Sequence, residues 1–186
     1  MTTRKTKTKS MTGWKAFYYD LTARPAENVV FQYKVGRRYT MKEAPVICDQ
    51  GFHFYPEFRD VYDYHGVEFD IRICEIKAGG DIATMEYGLL GPVRKAATNR
   101  ITIVRELEPR EIVEMMSKTP HDSSPRLDRD EFSYALRVNL DRYRRVDECD
   151  YWILGDLKVS EAPEETWKWL DERYAKWMGA LEEFGL

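Results

Sequence analysis

His53 and His65 are the side chains in this sequence best suited to chemistry near neutral pH. An imidazole is the one side chain whose ordinary pKa lets it exchange a proton between pH 5 and 8. Tyr55, Tyr62 and Tyr64 share the same stretch, and a tyrosine can donate a hydrogen bond or stack on a planar ring. His53 follows the Gly51-Phe52 turn and His65 ends an expected helix, so all five side chains are candidates for one ligand-binding cleft. The competing expectation is structural, with His53 a satisfied core histidine and the tyrosines half-buried packing residues.

Other chemistries fail on pattern. A metal would need a third ligand from Asp49, Asp63, Glu68 or Cys48, and none stands at a recognised spacing, so no metal is expected. No serine lies between Met11 and Met116, which removes a Ser-His-Asp arrangement from this region. Gly79-Gly80 does not open a basic helix, and no phosphate-loop or dinucleotide fingerprint occurs. No cofactor and no catalytic residue are assigned, and the balance leans against an enzyme. Arg37, Arg38, Arg94, Lys95 and Arg100 offer cations for an anionic pocket, although charges so scattered read first as solvated faces.

Composition narrows the class of protein. The 186 residues suit one domain or one domain with an appendage, and 43% hydrophobic with 13% aromatic residues can fill a core. A net charge of −3, from 29 basic and 32 acidic residues, gives no global drive towards nucleic acid, which is not expected as a partner. No apolar run reaches membrane-spanning length, and the N-terminus lacks the apolar centre of a signal peptide. Cys48, Cys74 and Cys149 are odd in number and widely spaced, as befits free thiols in a reducing cytoplasm.

The elements that must position the cleft can be read in order. Residues 1–13 are polar and basic and are expected to form a disordered tail. A core domain is expected over 14–117. It starts with strands at 14–19 and 29–35, a loop at 21–28 between them, extended chain at 39–41 and a short strand at 46–48. Pro56 opens a predicted helix to His65, with Phe58, Val61, Tyr62 and His65 on one face and Gly66 as its stop. Residues 67–76 alternate apolar and polar and predict a strand with one buried face. A turn at 78–81, a lid-like loop over 85–95, a strand at 97–104 and a helix at 108–116 complete the core.

A polar linker is expected over 118–128, then a helical extension over 129–186. Helices are predicted at 130–145 and 163–184, and the segment Tyr151–Gly155 is too apolar to be exposed and is expected to dock on something. On the last helix Trp167, Leu170, Tyr174, Trp177, Leu181 and Phe184 form an aromatic seam. That seam either docks on its own domain or seats a partner, including a second copy of the chain in a homo-oligomer. The fold expected is α+β: a small mixed or antiparallel sheet with one or two packed helices, then the helical extension.

The order Phe31-Gln32-Tyr33-Lys34-Val35-Gly36, Cys48-Asp49-Gln50-Gly51-Phe52-His53 and Asn99-Arg100-Ile101-Thr102-Ile103-Val104-Arg105-Glu106-Leu107 resembles a domain family of unknown function widespread in bacteriophages and prophages. It covers about the first two-thirds of the chain. The resemblance implies a phage or prophage accessory protein in the bacterial cytoplasm, and the expectation built on it is a binding or inhibitory module acting on a host or defence protein. The succession of aromatic strand, Tyr33…Gly36…Tyr39, Gly51-Phe52 turn, helix and late strand is also similar to the layout of ADP-ribosyltransferases, which implies a nucleotide-binding cleft. In that comparison residues 53–55 lack the serine of those enzymes, and the late strand opening Thr98-Asn99-Arg100 lacks their glutamate, with Glu86 the nearest substitute.

Overall fold

A computed structural model describes residues 4–6, 10–26, 29–87, 93–118, 128–144 and 163–186. The segment 151–155, Cys149 and most of the expected linker lie outside these residues. The fold is α+β, and two compact units share the chain. Among the described residues the first holds those up to Gly66 and 72–107; the second holds 67–71, 108–118 and everything from 128 onwards. No described helix is long and apolar enough to cross a membrane.

The first unit is built on an antiparallel hairpin of two long strands, β7 (Arg72–Tyr87) and β8 (Val93–Glu106). Its free edges carry the other strands. β1 (Arg4–Thr6) and β2 (Met11–Phe17) pair with β7, while β5 (Arg38–Thr40) and β6 (Phe52–Phe54) pair with β8. β3 (Thr22–Ala26) and β4 (Val29–Gln32) form a separate ribbon. The sheet also meets itself, because Trp14 and Tyr55 exchange both backbone hydrogen bonds at 2.8 Å. That junction closes β2, β7, β8 and β6 into a ring. It requires Gly13, where a Cβ would stand 2.6 Å from the Tyr55 carbonyl oxygen and 2.8 Å from the Phe54 ring. Phe17, Tyr33, Phe52, Phe54, Ile76, Ile101 and Ile103 fill the interior.

Several local expectations change for identifiable reasons. Backbone pairing needs no apolar side chain, and Arg4–Thr6, expected in a disordered tail, pair with Thr84–Ile82 of β7. Residues 21–28 were expected as a loop; β3 instead runs through Pro25, and its register shift between Ala23 and Ala26 falls where proline has no N–H to give. Gly79-Gly80 produces a bulge in β7 in place of a chain reversal. Gly80 has φ +75°, and the Thr98 hydroxyl donates to the Gly79 carbonyl at 2.6 Å across the irregularity. Residues 46–48 form a turn closed by Val46 and Gln50, in place of a strand. The expected lid splits between the ends of β7 and β8, and 88–92 lie outside the described residues.

The largest difference concerns 67–71, expected as the start of the clearest strand. Val67 and Phe69 are buried as the alternation requires, yet the segment belongs to the second unit and pairs with no strand. Side chains satisfy its carbonyls instead. On α4 (Glu164–Glu183), Arg173 donates to Phe69 O at 2.7 Å and Ile71 O at 2.6 Å, and the Trp177 indole donates to Phe69 O at 3.0 Å. Asn139 of α3 (Arg129–Arg144) donates to the Val67 carbonyl. A period of two reports alternate burial, and alternate burial does not need a neighbouring strand.

The remaining helix of this unit, α2 (Pro109–Ser117), buries Ile112, Val113 and Met116, and Glu111 accepts the Glu108 N–H at 3.0 Å as an N-terminal cap. Phe132, Leu136 and Leu140 of α3 are buried, as are Leu170, Trp177 and Leu181 of α4. Trp167, Tyr174 and Phe184 lie at the half-buried margin. The stripe on α4 thus turns slightly from the expected seam, and Arg173, only 5% exposed, takes the inward place beside Tyr174.

Two outcomes follow. Gly13→Ala forces the β2–β6 junction apart and lowers unfolding free energy by about 1–3 kcal/mol in urea titration. Arg173→Met removes both donors and leaves Ile71 O without that bond, costing about 2–4 kcal/mol by the same measurement.

Candidate functional site

β6 alternates as its sequence demands: Phe52 and Phe54 point into the core, and His53 takes the opposite face. Tyr55 follows at the ring junction, and the chain then enters α1 (Arg59–His65), which is shorter than the helix expected from Pro56. Gly66, at φ +77°, ends it. This brings Tyr55, Tyr64 and His65 together. The Tyr55 hydroxyl lies 3.1 Å from His65 Nε2, and the Tyr64 ring centre stands 5.6 Å from Tyr55 and 4.9 Å from His65. Tyr55 is buried, while Tyr64 is 48% exposed. Tyr62 is buried and packs edge-on against Phe58, which in turn meets Trp14.

His53 serves a different purpose from the one expected of a cleft residue. Its Nε2 accepts the Cys48 backbone N–H at 2.9 Å, so the ring proton belongs on Nδ1. Cys48 has φ +65°, a costly conformation for a residue with a side chain, and the histidine fastens the turn that contains it. Burial depresses the His53 pKa to about 4, with the positive charges of Lys15 and Lys95 adding to the effect. His65 moves in the same direction, to about 4, for the same reasons.

Two lysines complete the group. Lys95 is 7% exposed, and its ammonium lies 4.1 Å from the centre of the Tyr64 ring. Lys15, 8% exposed, occupies an inward position of β2 between Gly13 and Phe17. Its Nζ donates to the His53 carbonyl at 2.9 Å and lies 5.4 Å and 5.5 Å from the Phe17 and Tyr33 ring centres. Desolvation, reinforced by Lys95, brings its pKa down to about 8, with Cys74 acting in the opposite sense. Among the described residues no carboxylate forms an ion pair with either lysine. The buried carboxylate of α1, Asp60, accepts the Arg94 backbone N–H at 3.0 Å. Arg94 itself pairs with Glu57 and Glu86 on the surface, so Glu86 is engaged there.

Of the five residues expected to share a cleft, three meet directly, His53 holds a turn and Tyr62 fills the core. Lys15 was missed. Its signal was available: a lysine on the inward parity of an alternating strand is a polar residue in a core position. In the sequence Lys95 is one of several scattered cations, and only the pairing of β6 with β8 brings it to this group. Among the described residues no three His, Cys, Asp or Glu side chains group as metal ligands. The arrangement concentrates positive charge, a hydroxyl and a neutral imidazole beside an exposed aromatic ring.

These features define an α+β protein whose larger sheet carries a cationic histidine–tyrosine group. Residues 11–115 match DUF7666, a domain of unknown function, and the chain belongs to that family. No curated protein and no solved structure matches the chain.

The electrostatics give a direct expectation. In an NMR titration the His53 ring stays neutral down to about pH 4, far below an ordinary histidine. The unfolded chain then binds more protons than the folded one between about pH 4 and 6.5, so stability rises with pH across that window. His53→Gln makes this rise shallower. A His53 signal titrating near pH 6.5 in the folded protein would contradict the assignment.

Proposed function

We propose that the first unit is a binding module for a small phosphate-bearing anion of the nucleotide class, held at Tyr55, Tyr64, His65 and Lys95. One observation carries this reading: Lys95 is 7% exposed, lies against an aromatic face and has no carboxylate counterion among the described residues. A desolvated ammonium without an anion is costly, and the natural way to offset that cost is an anion that arrives with the ligand. Lys15 adds to the local positive field, which the lowered pKa values of both histidines register. The Tyr55 hydroxyl holds His65 in place through its 3.1 Å contact with Nε2, and the exposed Tyr64 ring offers an edge for a base. In keeping with the resemblance to phage and prophage domains, the proposal takes the module as part of an accessory protein of the infected bacterial cytoplasm.

The alternative, a host-protein binder working through the aromatic seam of α4, would need Leu170, Trp177 and Leu181 at the surface. All three are buried.

Thermal unfolding with pyrophosphate, ADP and NAD as separate probes tests the proposal. At least one of them raises Tm by several degrees when present in large excess over its Kd. Lys95→Gln abolishes the shift and Lys95→Arg retains part of it. The proposal fails if none of the probes moves Tm, or if Lys95→Gln responds as the wild type does.

A further inference from the structure

The outer face of the larger sheet carries a second cationic feature. Residues paired across neighbouring strands share a face, so the register can be read as rows. Thr12 of β2 pairs with Lys77 of β7, Lys77 with Thr102 of β8, and Thr102 with Arg38 of β5. The adjoining row runs from Gly79 to Arg100 to Thr40. Thr12, Lys77, Arg38, Arg100 and Thr40 are exposed, and the opposite face holds Ile76, Ala78, Ile101 and Ile103 in the core. Lys77 and Arg38 stand two strands apart, about 10 Å at the backbone, and Arg100 is about 7 Å along β8 from their row.

None of these three cations has a carboxylate ion pair among the described residues, whereas Arg105 on the same face pairs with Glu75 at 3.1 Å. Three threonine hydroxyls lie among the cations. We infer that this face binds the phosphate backbone of nucleic acid, independently of base sequence. Arginine and lysine neutralise phosphates, and threonine hydroxyls donate to phosphate oxygens, while such contacts read no bases. A lipid surface fits less well, because binding there needs inserted apolar side chains and, among the described residues of β2, β5, β7 and β8, Val104 is the one large hydrophobic side chain exposed. The net charge of −3 does not oppose this, since the register gathers cations that lie far apart in the chain.

The test uses the full chain and fluorescence anisotropy with a labelled mixed-sequence DNA duplex of about twenty base pairs, titrated at several salt concentrations. Three neutralised phosphates predict a log–log salt slope of about −2.7, equivalent to a roughly 40-fold loss of affinity between about 50 and 200 mM salt. Arg38→Gln, Lys77→Gln and Arg100→Gln each make the slope shallower by about 1. The triple variant unfolds at the wild-type temperature and loses binding at low salt. Lys95→Gln keeps the wild-type slope, so this outcome stands or falls separately from the nucleotide-class site. The inference is overturned if the wild type does not bind, if the triple variant keeps its affinity, or if phosphatidylserine vesicles capture the protein and the duplex does not.

Discussion

The ladder between β7 and β8 is the constraint on which the larger sheet depends. β1 and β2 hydrogen-bond to one strand of that hairpin and β5 and β6 to the other, so its register sets the height of every neighbour. The bulge at Gly79-Gly80 divides it, giving β2 and β5 one stretch and β1 and β6 the other. Bending at that point lets β6 reach β2, and the Trp14–Tyr55 pair then closes the ring. Gly13 and Gly80 are the places where the backbone approaches too closely, or turns too unusually, for a side chain.

The candidate site is a by-product of the same closure. Tyr55 stands at the junction, Lys15 lies one residue from its partner Trp14, and Lys95 neighbours Ala96, which pairs with Phe54. Placing two ammonium groups where the sheet closes is unfavourable in isolation. Aromatic faces and the His53 carbonyl lessen the cost, and burial, reinforced by these charges, keeps both histidines neutral. His53 shows how one residue type serves two ends, since the neutrality that would suit a proton acceptor here lets it hold the Cys48 turn.

How much of this could be read beforehand depended on whether a pattern reports backbone geometry or only burial. Helices α2, α3 and α4 were legible because three- and four-residue spacing has no other common physical source. β2 and β8 were legible from runs of aromatic and β-branched residues. Residues 67–71 misled because their alternation is real and comes from Arg173, Asn139 and Trp177 standing in for a strand. Gly79-Gly80 misled because two glycines serve a bulge as well as they serve a turn. Tyr55, Tyr64 and His65 could be grouped from their closeness in sequence. Lys15 and Lys95, eighty positions apart, meet them only through strand pairing, and local periodicity carries no record of that.

The placement of 67–71 bears on how this family can be cut and joined. The chain leaves the first unit after Gly66, contributes five residues to the helical unit and returns at Arg72. A polypeptide carrying only the matched region, 11–115, would present Val67, Phe69 and the apolar stripe of α2 to water, together with carbonyls whose donors reside on α3 and α4. The edge of the family match is therefore an edge of recurrence and not of autonomy. Any relative that dispenses with these helices must supply another cover for the same five residues, from its own chain or from another molecule.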